Sequence, residues 1–387
     1  MNGPRSRPGT LGLYLHLPFC RAKCPYCDFY SLAGRTDLVS VYLDALARQA
    51  HHMAELPWTG PRQVSTIFFG GGTPSILAPA ELAGLLALCR RLFPVPAAGV
   101  ETTVEVNPAT VDRRALDLLR RAGFNRVSIG VQSLDDRLLG RIGRVHTAAD
   151  AVRTVRSARQ AGFASLGLDL MYGLPGQDLA TWRRTLEQAL ALAPDHLSLY
   201  ELTLEEGTPF ARRAAAGELL LPDEEEVLAM MALGRELAEG AGLHRYEISN
   251  YARPGHECRH NINYWQNGSY IGLGAGAVSC LSGRRLTAVA DVEAFCRRLA
   301  AGEPVWSDEE RLTPAARFRE TVVMGLRMIR GVDLAGLEAR FGMDARSHYG
   351  PTLERLLDQG LLAVRDGRLC LTARGLPLAN RVMAELV

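Results

Sequence analysis

The sequence predicts an α/β fold in which six parallel strands alternate with helices and a small helical domain follows. Six apolar runs between residues 11 and 202 are separated by amphipathic segments long enough for helices, which is the pattern of right-handed β/α units. Polar or glycine-rich motifs follow these runs, as they do at the carboxyl ends of parallel strands. From Thr313 onward the pattern changes to helices and a hairpin.

The six predicted strands are short runs rich in apolar or β-branched residues: residues 11–17, 64–69, 101–106, 126–131, 166–171 and 196–202. The predicted helices between them have apolar residues at helical spacing: residues 37–55, 81–93, 112–122, 148–161 and 178–192. Six β/α units are too few for a closed eight-unit barrel. We therefore expect an open, partial barrel.

Beyond the sixth strand the chain predicts two smaller parts. Residues 223–241 and 291–300 predict helices within a glycine-rich stretch, and residues 302–308 predict a linker. Helices at 315–329, 334–341 and 349–359, and a hairpin at 361–371 turning at Asp366-Gly367, resemble a winged-helix module. Its charges are nearly balanced without a basic stripe, which favours docking or a lid over DNA binding. The expected domains are 1–220, 221–307 and 308–387.

Three cysteines follow the first predicted strand. Cys20, Cys24 and Cys27 have C-x3-C-x2-C spacing, and thiolates suit zinc, Cu(I) and iron–sulfur clusters. A structural zinc site needs four ligands, which a lone triplet does not supply. Three thiolates on a [4Fe-4S] cluster leave one iron open to a small molecule. The alternative is three cysteines that share no ligand.

The segment from Tyr14 to Cys27 reads Y-x-H-x-P-F-C-x3-C-x-Y-C. It resembles the radical S-adenosylmethionine (SAM) family, in its coproporphyrinogen-dehydrogenase-like branch, and similarity to that branch recurs over most of the chain. In that family the amino and carboxylate groups of SAM chelate the open iron, and an electron from the cluster cleaves the sulfonium bond. The resemblance implies the open (β/α)6 barrel of the radical SAM type and one [4Fe-4S] cluster on the three cysteines.

By the same resemblance, polar residues near the strand ends line the SAM pocket. A charge on an apolar strand is costly to bury without a partner, and a guanidinium fork suits a carboxylate. The expected SAM-binding residues are Gly71, Gly72, Thr73, Glu105, Gln132, Arg144 and Asp169, with Tyr14 and Tyr26 flanking the cluster loop. Each could instead serve the structure alone, as a turn glycine, a satisfied polar group or a packed aromatic ring.

Three features of the sequence distinguish the two activities known in this branch, which are coproporphyrinogen dehydrogenation and haem delivery. The dehydrogenase pattern has a fourth cysteine two residues after the third, where this sequence has Phe29. Only thirteen residues precede Tyr14, whereas the dehydrogenases carry a longer extension. The string H-N-x-x-Y-W at residues 260–265 resembles the signature of haem chaperones in the branch, which bind haem and deliver it to haem proteins.

The resemblance places haem near His260, Asn261 and Tyr264. Histidine is a standard axial haem ligand, and aromatic rings can stack on a flat macrocycle. The small residues 272–276 that follow would let a large ligand approach. The local alternative is a histidine that only caps or packs.

The sequence thus predicts a haem chaperone with a [4Fe-4S] cluster, SAM and bound haem, and it assigns no catalytic residue. The resemblance implies that recipient apoproteins include membrane respiratory enzymes and that the chain forms homodimers. The alternative is an oxygen-independent coproporphyrinogen III dehydrogenase, and a weaker one is a radical SAM enzyme acting on another tetrapyrrole.

Composition supports a cytoplasmic protein. The 387 residues include 44 Lys and Arg against 42 Asp and Glu, a balance that gives no reason to expect a nucleic-acid partner. Eight cysteines without an even framework indicate a reducing compartment. Arg5 and Arg7 precede an apolar run, but the cysteine motif interrupts it, so we expect no signal peptide. Residues 271–281 are too few to span a bilayer, so we expect at most transient membrane association.

Overall fold

The computed structural model describes residues 10–57, 59–60 and 62–387; Arg5 and Arg7 lie outside them. The strands in chain order are β1 Thr10–Leu17, β2 Phe19–Cys20, β3 Leu32–Ala33, β4 Gln63–Gly71, β5 Glu101–Val106, β6 Arg126–Gln132, β7 Ser165–Tyr172, β8 His196–Glu201, β9 His244–Arg245, β10 Asn250–Ala252, β11 Tyr270–Leu273, β12 Val278–Leu281, β13 Arg284–Ala288, β14 Trp306–Arg311, β15 Val332–Asp333, β16 Leu362–Arg365 and β17 Arg368–Leu371. The α-helices are α1 Val39–Glu55, α2 Pro79–Leu92, α3 Arg113–Ala122, α4 Asp136–Arg141, α5 Ala148–Ala161, α6 Leu179–Ala191, α7 Pro209–Ala215, α8 Glu224–Gly240, α9 Arg259–Trp265, α10 Val292–Ala300, α11 Pro314–Leu326, α12 Leu334–Phe341, α13 Ala345–Tyr349, α14 Pro351–Asp358 and α15 Ala379–Ala384.

The six predicted strands form the parallel centre of a twelve-stranded sheet, in the order β1-β4-β5-β6-β7-β8. The edges of this sheet are β14 and β9, so it remains open as predicted. Alternate strand residues such as Leu13 and Ile67 belong to the main hydrophobic core. The residues between them, such as Tyr14 and Phe68, face the barrel interior.

The chain beyond β8 extends both edges of the same sheet. Strand β11 pairs parallel to β1, with Leu13 opposite Ile271, and was not predicted because its run is short and contains glycine. Antiparallel strands β12, β13 and β14 continue from it, and β10 and β9 flank β8. The predicted linker at 302–308 was partly wrong, because β14 begins at Trp306 and pairs with β13.

Local signals explain where the core helices begin and end. The carboxylates of Asp112 and Asp178 accept hydrogen bonds from backbone N–H groups in the first turns of α3 and α6, which satisfies donors that the helix leaves unpaired. Gly123 and Gly162 end α3 and α5 in the left-handed conformation, at φ of 110° and 82°, which glycine adopts without a steric cost.

The C-terminal part forms a winged-helix-like domain with its own core, centred on Phe318, Val322 and Leu356. Its antiparallel sheet has the order β15-β17-β16, and the hairpin turns at Asp366-Gly367, both at positive φ, as predicted. The helix expected over 349–359 is interrupted at Gly350. No helix of the described residues is both long enough and apolar enough to cross a membrane.

Candidate functional site

The polar motifs that follow the parallel strands meet at one edge of the sheet, around a cavity of about 390 Å³. Strands β4 to β7 run parallel, so their carboxyl ends lie side by side. The cavity is lined by most of the predicted site residues: Cys20, Cys24, Tyr26, Cys27, Gly71, Gly72, Thr73, Glu105, Gln132, Arg144 and Asp169. The structure thus brings the cysteine loop and the strand-end groups together; we call this space the outer cavity.

The cysteine loop, which carries Cys20, Cys24 and Cys27, runs from the end of β2 to the start of β3, and these two strands pair with each other. All three thiols are partly exposed and free of disulfides. The Cys20 sulfur lies 3.6 Å from the Thr73 hydroxyl, and Arg144 Nη1 lies 3.7 Å from the Cys24 sulfur. Among the described residues no group of three or more His, Cys, Asp or Glu could hold a single metal ion. Thiolates that ligate different irons of a cluster need not converge on one point, so the triplet remains compatible with a cluster.

The glycine loop after β4 packs directly on the cysteine loop. The backbone N–H of Thr73 donates to the Phe19 carbonyl at 2.8 Å. A Cβ at Gly72 would lie 2.7 Å from that carbonyl oxygen, and Gly71 has a φ of 113°. Both glycines are therefore required by the backbone itself, and the loop holds Thr73 beside Cys20.

Two carboxyl groups, enclosed by protein but partly exposed to the cavities, lie behind the glycine loop. Burial, reinforced by nearby Asp169, raises the pKa of Glu105 to about 8. Burial also raises the pKa of Asp169, while hydrogen bonds from Ser128 and Ser198, at 3.0 and 2.6 Å, oppose that rise. A bound cation would lower both pKa values by favouring the carboxylates. The pair can therefore recognise a positively charged ligand group.

Gln132 and Arg144 present polar atoms that no described group satisfies. Gln132 ends β6 with a φ of 58°, next to an irregularity in its pairing with β7, and its side-chain carbonyl oxygen has no partner. Arg144 donates from Nη2 to the Gly130 carbonyl at 2.9 Å, but its Nε is unpartnered. Unsatisfied buried polar atoms are costly. Together with the carboxyl pair, they fit the amino and carboxylate groups of an amino-acid ligand such as SAM.

The other four predicted residues, Tyr14, His260, Asn261 and Tyr264, line a second cavity of about 220 Å³ in the barrel interior. We call it the inner cavity. Glu105 and Asp169 line both cavities. Tyr14 directs its hydroxyl to His16 Nδ1 at 3.0 Å, and burial raises the pKa of Tyr14 well above its ordinary range.

His260 lies at the opposite end of the sheet from the cysteines, because α9 packs against the amino ends of the strands. The backbone N–H groups of Arg259 and His260 both donate to the Glu101 carboxylate at the start of β5, at 3.0 Å. The buried His260 ring pairs with Thr66 Oγ1 at 2.8 Å through Nδ1 and with the Tyr264 hydroxyl at 3.1 Å through Nε2.

In this arrangement neither ring nitrogen of His260 is free for haem iron. The ring stacks on Phe68, and burial lowers its pKa to about 3. The small-residue loop at 272–276 is also closed to a ligand. The N–H groups of Gly274 and Ala275 donate to Gln49 and Tyr42, and a Cβ at Gly272 would meet the backbone of Val278.

Several cavity residues were missed by the sequence reasoning. Ser128 and Ser198 support Asp169, and Asn107 lines the outer cavity with an unpartnered side-chain oxygen. The signal for Ser128 was present, because Ser128, Gly130 and Gln132 alternate along β6 with buried apolar residues. A period of two places them on one face of the strand.

Comparison with known proteins gives two family matches. A model of the radical SAM superfamily matches residues 14–189, and a model of the HemN C-terminal domain matches residues 312–378. Among solved structures, coproporphyrinogen III oxidase (HemN) from Escherichia coli matches with a TM-score of 0.84 and 25% identity, over 97% of this chain and 89% of that one.

Curated relatives match over similar lengths. The chain is 35% identical to the heme chaperone HemW of Bacillus subtilis, over 97% of this chain and 98% of the relative. It is 42% identical to the heme chaperone HemW of Escherichia coli over 69% of each chain. It is 34% identical to the mitochondrial radical S-adenosyl methionine domain-containing protein 1 of Bos taurus, over 100% of this chain and 90% of that protein. The chain therefore belongs to the HemW family of radical SAM proteins.

Proposed function

We propose that this chain binds haem and delivers it to haem-dependent apoproteins, while holding a [4Fe-4S] cluster and SAM. The main support is the similarity to a heme chaperone over 97% of the chain. The outer cavity supports the cofactor part of the proposal, because three free thiols and several unsatisfied polar groups line the same space.

Cys20, Cys24 and Cys27 would hold the cluster, and the strand-end groups would hold SAM. When bound, the cluster supplies an open iron and an electron. The polar lining divides by charge. Glu105 and Asp169 suit the positive groups of SAM, whereas Arg144 suits its carboxylate.

The alternative is a coproporphyrinogen III dehydrogenase, which the structural similarity to HemN favours. Phe29 argues against it, because the dehydrogenase pattern has a cysteine at this position. The Phe29 side chain lines the outer cavity and is 66% exposed. A large apolar ring here gives the cavity mouth a different chemistry from that of a thiol.

The decisive experiment compares binding with turnover on the same cluster-reconstituted, full-length protein under anaerobic conditions. Haem titration followed in the Soret band should saturate near stoichiometry, and the bound haem should pass to a haem-free respiratory cytochrome. Coproporphyrinogen III supplied with SAM and a reductant should yield no protoporphyrinogen. Turnover without saturable haem binding would overturn the proposal in favour of the dehydrogenase.

The cellular setting belongs to the same proposal. We place the protein in the cytoplasm, with transient membrane contact during delivery to respiratory enzymes, and we propose that it forms homodimers. Light scattering on the cluster-free and cluster-loaded protein would measure the oligomeric state. Co-sedimentation with membranes that contain or lack a recipient enzyme would test the contact.

A further inference from the structure

We infer that the tetrapyrrole binds in the cleft between the α9 segment and the C-terminal domain, and not on His260. This inference rests on the proposed haem-binding function. The cleft has a volume of about 610 Å³. One wall consists of Asn263 and residues 265–269, and the other comes from α11, β15, α12 and the chain between them, with Arg368 of β17.

Size is the first argument. The inner cavity beside His260 has only about 220 Å³, which is below the roughly 300–1,000 Å³ of pockets for drug-sized ligands. The outer cavity of about 390 Å³ is the proposed site of the cluster and SAM. The cleft lies within the range. It also reaches the surface, since Gly336 and Arg340 in its wall are exposed.

Charge is the second argument. Arg330, Arg340 and Arg368 line the cleft, and Asp333, the one acidic residue among its described lining, forms an ion pair with Arg368 at 3.5 Å. Arg340 donates to the Asn267 carbonyl at 2.9 Å, and burial together with the charge of Arg317 lowers its pKa. Its hydrogen bonds go to backbone carbonyls, and among the described residues no carboxylate forms a direct ion pair with it, although Glu320 lies near enough to act on its charge. The propionate carboxylates of a tetrapyrrole would supply such an ion pair in the geometry that guanidinium groups prefer.

The apolar part of the cleft matches a macrocycle. Trp265, Val332 and Leu337 line it together with Met328. The Trp265 indole packs against the Arg327 guanidinium at 4.4 Å, and its buried N–H has no protein partner. Aromatic and aliphatic groups rimmed by guanidinium groups suit a flat apolar ring with anionic edges.

The H-N-x-x-Y-W string lies between the inner cavity and the cleft. His260 and Tyr264 face the inner cavity and bond to each other, whereas Asn263 and Trp265 line the cleft. The Asn263 amide also donates to the Ser269 carbonyl at 3.0 Å, which shapes the cleft wall. His260 therefore anchors α9 at the base of the barrel, and Trp265 presents a ring to the ligand. The string can accompany haem binding without a histidine ligand.

The test is a Soret titration of cluster-reconstituted, full-length protein with matched variants. Arg340→Glu reverses a cleft charge, and Gly336→Leu fills the space. A Cβ at Gly336 would lie 3.2 Å from Cγ of Asp333, which caps this helix, so circular dichroism first checks that the variant is folded. Both variants should weaken haem affinity about tenfold or more. Arg381→Glu and Ala335→Leu, which change exposed residues outside the cleft lining, should stay within about twofold. His260→Ala should still bind haem.

A comparison of two ligands on the wild-type protein does not depend on the folding of a mutant. Wild-type protein should bind haem about tenfold or more tightly than haem dimethyl ester, which lacks both carboxylates, and Arg340→Glu should narrow that ratio. Equal affinity of the wild type for haem and for its dimethyl ester would overturn the cleft as the binding site. So would unchanged haem binding by folded cleft variants together with loss of haem binding in His260→Ala. Neither outcome would overturn the haem-binding function. Absence of saturable binding to the wild type would overturn both the cleft and the haem-binding function.

Discussion

Glu105 shows how one residue of the candidate site makes the protein sensitive to pH. Burial beside Asp169 raises the pKa of Glu105 from an ordinary 4.5 to about 8, so folding takes up a proton between these values. The resulting stabilisation is complete below about pH 4.5 and is lost as the pH rises through about 8. The site therefore carries a stability cost at alkaline pH that a cationic ligand would offset.

We predict that Glu105→Gln becomes more stable relative to the wild type as the pH rises from 5 to 9. The difference in free energy of unfolding should grow by about 1–4 kcal/mol, because the amide carries no charge to bury. Urea denaturation of the ligand-free proteins across this range measures it. Glu187→Gln, at an exposed position, controls for removal of a carboxylate. A pH-independent difference at Glu105 would contradict the pKa argument.

The three cysteines lead to a second prediction at the residue scale. Cys24→Ala should reduce iron and acid-labile sulfide after anaerobic reconstitution to background, because two thiolates leave a second iron without a protein ligand. The matched control is Cys89→Ala, since Cys89 is buried in α2 and away from the cavity. Equal iron content in the two variants would show that the triplet does not hold a cluster.

At the scale of elements, contact between the glycine loop and the cysteine loop positions the outer cavity. We predict that Gly72→Ala lowers the free energy of unfolding by roughly 1–3 kcal/mol, because its Cβ would lie 2.7 Å from the Phe19 carbonyl oxygen. The atoms nearest to this Cβ belong to the backbone of Pro18 and Phe19, not to a flexible side chain that could move aside. Denaturation in urea, followed by circular dichroism, would measure the loss.

The control for this change is Gly84→Ala. Gly84 is exposed within α2, and a Cβ there meets nothing within 4 Å. Alanine should be neutral or stabilise by about 0.5–1 kcal/mol, since glycine is the costlier residue in a helix. If both variants behaved alike, close packing of the two loops would not be the reason for Gly72.

At the scale of the whole molecule, one group of contacts between the barrel and the C-terminal domain lies around residues 246–248. The N–H groups of Ile248 and Ile329 donate to the carbonyls of Arg327 and Tyr246, each at 3.1 Å. The buried Glu247 carboxylate lies 3.9 Å from the Arg327 guanidinium. Burial raises the pKa of Glu247, and Arg327 opposes that rise. The same junction lies beside the proposed haem cleft.

We predict that Arg327→Ala destabilises the protein by about 1–3 kcal/mol at pH 8, because the buried Glu247 carboxylate loses its guanidinium partner and keeps the hydrogen bond from the Ser249 N–H. Without the guanidinium the pKa of Glu247 rises further, so stability is lost as the pH rises through that value. The loss should therefore be smaller at pH 5 than at pH 8, because a raised pKa leaves a larger protonated fraction at the lower pH. Thermal unfolding at both values, with Arg327→Ala/Glu247→Gln as the rescue variant, checks this. An equal loss at both pH values would contradict it.

The sequence alone determined the six parallel strands of the barrel and part of the lining of the outer cavity. Local periodicity identifies each strand, and parallel pairing necessarily gathers the residues at the strand ends, such as Glu105, Gln132 and Asp169. The cysteine spacing lies within one loop, so its chemistry needs no tertiary information. The Asp366-Gly367 turn was equally local, because both residues adopt the positive φ that the hairpin requires.

Only the tertiary structure decided which space each remaining residue faces. Strand β11 joins β1 across a long stretch of sequence, with Gly12 opposite Tyr270, and no local pattern encodes that pairing. It is this pairing that brings α9 under the barrel, turns His260 toward Thr66 and leaves Trp265 on the cleft. Hydrophobic periodicity reports whether a side chain is buried, but its partners depend on strand order and register, which only the packed chain establishes.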